Sequence, residues 1–126
     1  MANYTIKLFG PIQVFDSSNN TILNQPLTNL VVPVTDYSAG SLSVSAAAAA
    51  IPLPAAQTNF AYLQNIGAAV AVVSWTPQSG SGAIVQNLGI SSAMSVMQVG
   101  TAAATGVSAI TVSCAASTTV SYILGG

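Results

Sequence analysis

The segment Thr58–Thr76, TNFAYLQNIGAAVAVVSWT, constrains the fold more than any other part of the chain. It holds two apolar runs, Asn59–Gln64 and Ala69–Trp75, separated by Asn65-Ile66-Gly67. Gly67 can adopt a positive φ at no steric cost and Asn65 tolerates turn geometry, which gives a break between the runs a mechanism. In the first run Phe60 and Tyr62 fall on one face and Ala61 and Leu63 on the other. In the second, Val70 and Val72 oppose Ala71, Val73 and Trp75. Side chains alternate across a strand, so a run that is apolar on both parities is a strand covered on both faces. Pro77 and Gly80-Ser81-Gly82 stop the second run. The segment predicts the centre of an all-β core.

The flanking sequence keeps the two-residue period. Tyr4, Ile6 and Leu8 alternate with Thr5, Lys7 and Phe9, and Gly10-Pro11 ends that strand. Ile12–Phe15 and Thr21–Leu23 flank Asp16-Ser17-Ser18-Asn19-Asn20, a cluster whose side chains bond their own backbone in turns, and together they predict a hairpin with a longer loop. Leu30-Val31-Val32 is interrupted by Pro33, which cannot donate to a ladder and so marks an edge strand or a bulge. Asp36, close to Gly40, occupies a second predicted turn, with Tyr37 in the loop beside it. The stretch Ser41–Pro54 contains five successive alanines, a helix-favouring feature. The strict alternation before them and Pro52 and Pro54 after them favour a strand that continues into the alanines. Ala83–Leu88, Met94–Val99, Val107–Cys114 and Thr119–Leu124 complete nine to eleven short strands with no convincing helix. That spacing is the signature of a β-sandwich or barrel, and the expected fold is a single-domain antiparallel β-sandwich over residues 1–126.

Charge decides which functions remain open. Lys7, Asp16 and Asp36 are the only ionised side chains, 2% of the chain, whereas 52% of residues are hydrophobic. An ordinary domain is about a quarter charged. Disorder needs low hydrophobicity and high charge, so a folded core is expected. A surface of Ser, Thr, Asn, Gln and Ala repels its own copies weakly, and a net charge of −1 favours association. A subunit whose surface is committed to neighbours fits that balance, and a polar, neutral secreted domain is the alternative. One lysine cannot bind a phosphate backbone or an anionic membrane, so neither nucleic acid nor membrane is an expected partner. No apolar window approaches the ~20 residues that span a bilayer, and no signal peptide is visible at the N-terminus, which points to synthesis in the cytoplasm.

Catalytic chemistry has few carriers. The chain has no histidine, and thus neither the commonest general base nor the usual Ser-His-Asp or Cys-His arrangement. Asp16 and Asp36 are its only carboxylates, and both sit in predicted turns. Cys114 is the only cysteine, expected as a small buried strand residue. A metal site lacks ligands beyond a weak calcium option at Asp16, Asn19 and Asn20, and no glycine run precedes a helix as a phosphate loop does. No cofactor, no metal and no enzymatic activity are therefore expected. Aromatic side chains offer the other route to function, through sugar stacking. Trp75 and Tyr62 are expected to be buried, which leaves Tyr37 as the exposed candidate.

The pattern Asn59-Phe60-x-Tyr62-x-Gln64-Asn65-x-Gly67, then Val70-x-Val72-x-x-Trp75-x-Pro77, resembles small β-sandwich proteins of tailed bacteriophage particles. The ending Ser121-Tyr122-Ile123-Leu124-Gly125-Gly126 is similar to the short C-termini of such proteins, and the likeness covers about the last 70 residues. The resemblance implies a jelly-roll-like capsid decoration, or cement, protein: a homo-oligomer, often a trimer, bound to the major capsid protein or other virion proteins at subunit junctions. Contacts are expected through the N-terminal strand (Tyr4, Ile6, Phe9), the edge at Val31, Val32 and Pro33, and Tyr37. Two other functions stay open, a glycan- or receptor-binding module of a tail or fibre and a cellular self-assembling layer or filament protein.

Overall fold

The computed structural model describes residues 4–8, 10–26, 30–54, 58–77, 82–97 and 107–126. The described residues form twelve strands and no helix. They are β1 (Tyr4–Leu8), β2 (Pro11–Phe15), β3 (Thr21–Pro26), β4 (Leu30–Val34), β5 (Tyr37–Val44), β6 (Ala49–Ala50), β7 (Phe60–Asn65), β8 (Ala71–Pro77), β9 (Ile84–Leu88), β10 (Ala93–Met97), β11 (Val107–Ser113) and β12 (Thr118–Gly125). Every pairing among them is antiparallel.

Two four-stranded sheets carry the core, one in the order β10-β7-β12-β5 and the other β6-β11-β8-β9. Their inner faces meet in one cluster: Val44, Ala61, Leu63, Val120 and Leu124 from the first sheet, and Ala71, Val73, Leu88, Val107, Ile110 and Val112 from the second. Alternating burial along β7 and β8 places Ala61 and Leu63 in one core with Ala71 and Val73, so the fold is an antiparallel all-β sandwich. Where Gly40 pairs with Tyr122, the aromatic ring lies over the glycine and fills the space its missing side chain leaves.

The two apolar runs of the Thr58–Thr76 segment do not pair with each other. β7 lies in the middle of one sheet and β8 in the middle of the other, and residues 66–70 arch between them. Gly67 is not among the positive-φ residues, of which Gly10 is the only described glycine. It is needed for close approach. A Cβ there would collide with the Thr118 hydroxyl and lie 2.6 Å from the Thr119 backbone nitrogen. The alanine-rich stretch also differs from expectation. β5 ends at Val44, residues 45–48 cross to the opposite sheet, and β6 is a separate two-residue strand. Tyr37 belongs to β5 and not to a loop, although Asp36 does cap the turn before it by accepting the Tyr37 N–H at 2.8 Å.

Two further ribbons complete the described residues. β1 pairs with β4 over Tyr4↔Val34, Ile6↔Val32 and Leu8↔Leu30. Its inner face lays Ile6, Leu8, Val32 and Val34 over Phe60 and Tyr62, a second, smaller apolar cluster on the outer side of β7. Both faces of β7 are thus covered, as its two apolar parities require. Among the described strands β4 pairs only with β1, so Pro33 sits on an edge strand, where a proline is tolerated. Among the described strands β2 and β3 pair only with each other.

Candidate interaction surfaces

The structure brings the N-terminal strand and the Val31–Pro33 edge into one ribbon, and it sorts the candidate contact residues between two faces. Ile6 is half-buried and Val32 is 1% exposed, and both pack inward on Phe60. Val31 and Pro33 stand exposed on the outer face beside Lys7 and Thr5, their register partners. Tyr4 and Tyr37 are both about half exposed and meet edge to face, with ring centroids 5.2 Å apart and planes at 81°. Phe9 lies outside the described residues. Val31 and Pro33 therefore form a neutral apolar strip next to a single cation, and an exposed aromatic pair closes one end of the ribbon.

The ribbon is held to the sandwich by an absent side chain. A Cβ on Gly125 would collide with the Ile6 Cδ1 and lie 2.8 Å from the Val34 Cγ1. The Gly126 carbonyl, one residue on, accepts the Thr35 N–H at 2.7 Å, the Thr35 hydroxyl at 2.8 Å and the Asp36 N–H at 3.1 Å, which clamps the β4–β5 turn against the end of β12.

The opposite end of the sandwich is fastened by Asn65, which is fully buried at the end of β7. Its Nδ2 donates to the Ala69 carbonyl at 2.7 Å and to the Leu88 carbonyl at 3.0 Å. Its Oδ1 accepts the Gly67 N–H at 3.1 Å and the Thr118 hydroxyl at 2.7 Å. Every polar atom of the amide is satisfied, as a buried amide requires. Because Leu88 belongs to the second sheet, one side chain bolts the two sheets together and shapes the 66–70 arch. An open depression of about 440 Å³ lies beside this arch, lined by Ser43, Ser45, Gly67, Ala68, Ser117, Thr118 and Thr119 with Val44. Its polar groups are hydroxyls and backbone, and no ionisable or aromatic side chain lines it.

Titratable groups are scattered. Asp16 sits in the β2–β3 turn, where its Oδ1 accepts the Ser18 and Asn20 N–H groups, both at 2.9 Å, and its Oδ2 the Asn20 side-chain amide at 3.3 Å. The bonds from Asn20, supported by Ser18, hold its pKa below the ordinary 3.8. These three donors take most of the roughly four acceptor sites of the carboxylate within the turn itself. Cys114 is buried and free, just beyond β11, with its N–H on the Ser45 carbonyl at 2.8 Å. Among the described residues the Asp and Cys side chains do not gather into a metal-binding group. No helix among them is long and apolar enough to cross a membrane. Trp75 packs partly against the main core, and its buried indole N–H has no acceptor among the described residues.

Periodicity does not by itself single out the β2–β3 hairpin as a surface, but the structure does. Ile12, Val14, Phe15, Ile22 and Leu23 are 42–66% exposed, and none belongs to either apolar cluster. The adjacent pairs Val14-Phe15 and Ile22-Leu23 are apolar on both parities, the same pattern that marks β7 and β8. That pattern signals cover on both faces, and among the described residues the cover is not provided. No known protein-family model, curated protein sequence or solved structure matches this chain.

Proposed function

We propose that this protein is a non-enzymatic structural subunit of a virus particle, made in the host cytoplasm, that decorates and stabilises the shell by binding at junctions between capsid subunits. The observation that carries the reading is the make-up of the surface. Among the described residues fourteen large hydrophobic side chains are exposed, against three ionised groups in the whole chain. A free domain with that surface is poorly protected against association, whereas a subunit covered by neighbours is stable. The resemblance to phage decoration proteins supports the same choice, with a jelly-roll-like strand arrangement and a trimeric state as its finer content.

The shell-facing surface in this reading is the outer face of the β1–β4 ribbon. Val31 and Pro33 supply apolar contact, the Tyr4–Tyr37 pair supplies rigid aromatic area, and the open edge of β4 offers unpaired backbone. Such a subunit acts by mass action, because a ligand of the assembled shell stabilises it in proportion to occupancy. Co-sedimentation with purified particles in near-stoichiometric copy number is the expected result, and Val31→Asp reduces shell binding at least tenfold by carrying a carboxylate into a dry contact, where pairing with its register partner Lys7 does not repay the desolvation of the two charges. A chain missing from particles, or a Val31→Asp variant that binds shells as well as the wild type, contradicts the proposal.

A second reading rests on the Tyr4–Tyr37 pair. Two exposed rings at one end of a ribbon can hold a sugar face, as in a receptor-binding module of a tail or fibre. Saturable binding on a carbohydrate array, abolished by Tyr37→Ala, selects that reading over the first.

A further inference from the structure

We infer that two copies of this chain join edge to edge through β5, antiparallel about a two-fold axis at Ser41, so that the sheet containing β5 runs on into its copy. Asp36 and Gly126 exchange both of their backbone N–H···O=C bonds, at 3.1 Å each. The β5–β12 register continues from that pair without a shift, from Tyr37↔Gly125 to Val44↔Thr118. Hydrogen-bonded pairs alternate along an antiparallel ladder. Ser38, Gly40, Leu42 and Val44 therefore bond to β12, while Tyr37, Ala39, Ser41 and Ser43 turn their backbone groups to the other side. No described strand pairs with β5 there, and Ala39, Ser41 and Ser43 are exposed. Native edges are blunted by charge, proline, bulges or shortness. β1 carries Lys7, and β2, β3 and β4 carry Pro11, Pro26 and Pro33; β6 has two residues, and β9 and β10 have five each. β5 runs for eight residues with none of these devices.

A second copy is the strand that the open groups fit. At one end the Tyr37 N–H already donates to the Asp36 carboxylate, and at the other the Ser45 carbonyl already accepts the Cys114 N–H, both at 2.8 Å. The residues with both backbone groups open are thus Ala39, Ser41 and Ser43, a set centred on Ser41. In an antiparallel self-pairing about that centre, Ala39 meets Ser43 of the copy and Ser41 meets its own counterpart, each pair exchanging both bonds. Tyr37 then falls opposite Ser45 of the copy, and the donor and acceptor that would meet there are the two already engaged within each chain. Moving the axis one residue either way sets an engaged group opposite an open one and leaves the open one without a partner. Because β5 carries no charge, its self-pairing opposes no like charges. One strand laid along one strand stays below the ~800 Å² per partner of a standard interface, so the dimer forms and dissociates with concentration. The pairing engages no backbone group of β4, the edge assigned above to the shell.

The test is sedimentation of the full chain in low-salt, particle-free buffer over a range of concentrations, for the wild type, Ser41→Lys, Ser41→Asp and an equimolar mixture of the two variants. The Ser41 side chain is exposed and lies at the axis, so each variant alone sets like charges opposite each other. The wild type is expected to reach the mass of two chains and each variant to stay at the mass of one. The mixture is expected to recover the mass of two, because a lysine then faces an aspartate. A folded core is read separately from the buried Cys114, which stays shielded from thiol reagents in all three proteins. Hydrogen exchange on the wild type needs no variant: the Ala39, Ser41 and Ser43 amides are expected to lose protection on dilution, while Gly40, Leu42 and Val44 keep theirs. A monomeric wild type, a variant that keeps the wild-type mass, a mixture that stays at one chain, or alternate amides indifferent to dilution overturns the inference. Protection of those amides that appears only when shells are added also overturns it and gives the edge to a shell strand. The sedimentation contains no shell, so a dimer without shell binding and shell binding without a dimer are distinct results.

Discussion

Asn65 shows how much one uncharged side chain can do in a molecule without ion pairs to spare. Its amide ties Ala69, Leu88, Gly67 and Thr118 together across the two sheets. Removing it takes the partner from two carbonyls, an N–H and a hydroxyl at a buried or half-buried site. Asn65→Ala is expected to cost about 3 kcal/mol in chemical denaturation, and Asn65→Asp more at neutral pH, since a carboxylate presents no donor to either carbonyl. Two glycines make a graded comparison. At Gly67 the obstacle to a methyl group is backbone of residues 118 and 119, so Gly67→Ala should cost about 3 kcal/mol. At Gly125 the obstacles are the ends of Ile6 and Val34, which can shift, and Gly125→Ala should cost about 1 kcal/mol and loosen the ribbon. Thermal melts of the pair test that order. The sequence marks position 67 as a break but not its reason, because backbone approach depends on β12, which pairs beside β7 from more than fifty residues away.

At the scale of elements, alternation makes the strands legible and leaves their partners hidden. β1, β2, β3, β4 and β7 to β12 lie where two-residue periodicity places them, and Pro33 falls on an edge as its chemistry demands. The alanine stretch separates into β5 and β6 because small side chains carry little information about which sheet they join. Ile6 and Val32 illustrate the same limit. Both sit on apolar parities, but only the β1–β4 pairing shows that they face Phe60 while Val31 and Pro33 face out. The hairpin turn is an element with its own pH signature. Asp16 is held below the ordinary 3.8 when folded, so its turn bonds contribute fully above that value and are lost as pH falls through the lower, folded value. The Asn20 amide resonance is therefore expected to titrate below pH 3.8 while core amides stay unmoved, and Asp16→Asn should abolish that transition.

At the scale of the whole molecule, the connections 45–48, 66–70, 89–92 and 114–117 all pass from one layer of the sandwich to the other. Strand order of this kind leaves no trace in periodicity, which is why a sandwich is predictable from the sequence and its topology is not. The composition, by contrast, speaks directly to the surface. With Lys7, Asp16 and Asp36 all exposed and far outnumbered by exposed apolar groups, the folded chain has little to keep copies apart. Contact of that origin is insensitive to screening, so self-association should be essentially unchanged between low salt and about 1 M sodium chloride, unlike a charge-paired interface. The most direct measurement is sedimentation equilibrium of the purified, full chain from micromolar to millimolar concentration in plain buffer. The account predicts a mass above that of one chain throughout the upper range. A single species of one-chain mass at every concentration contradicts it.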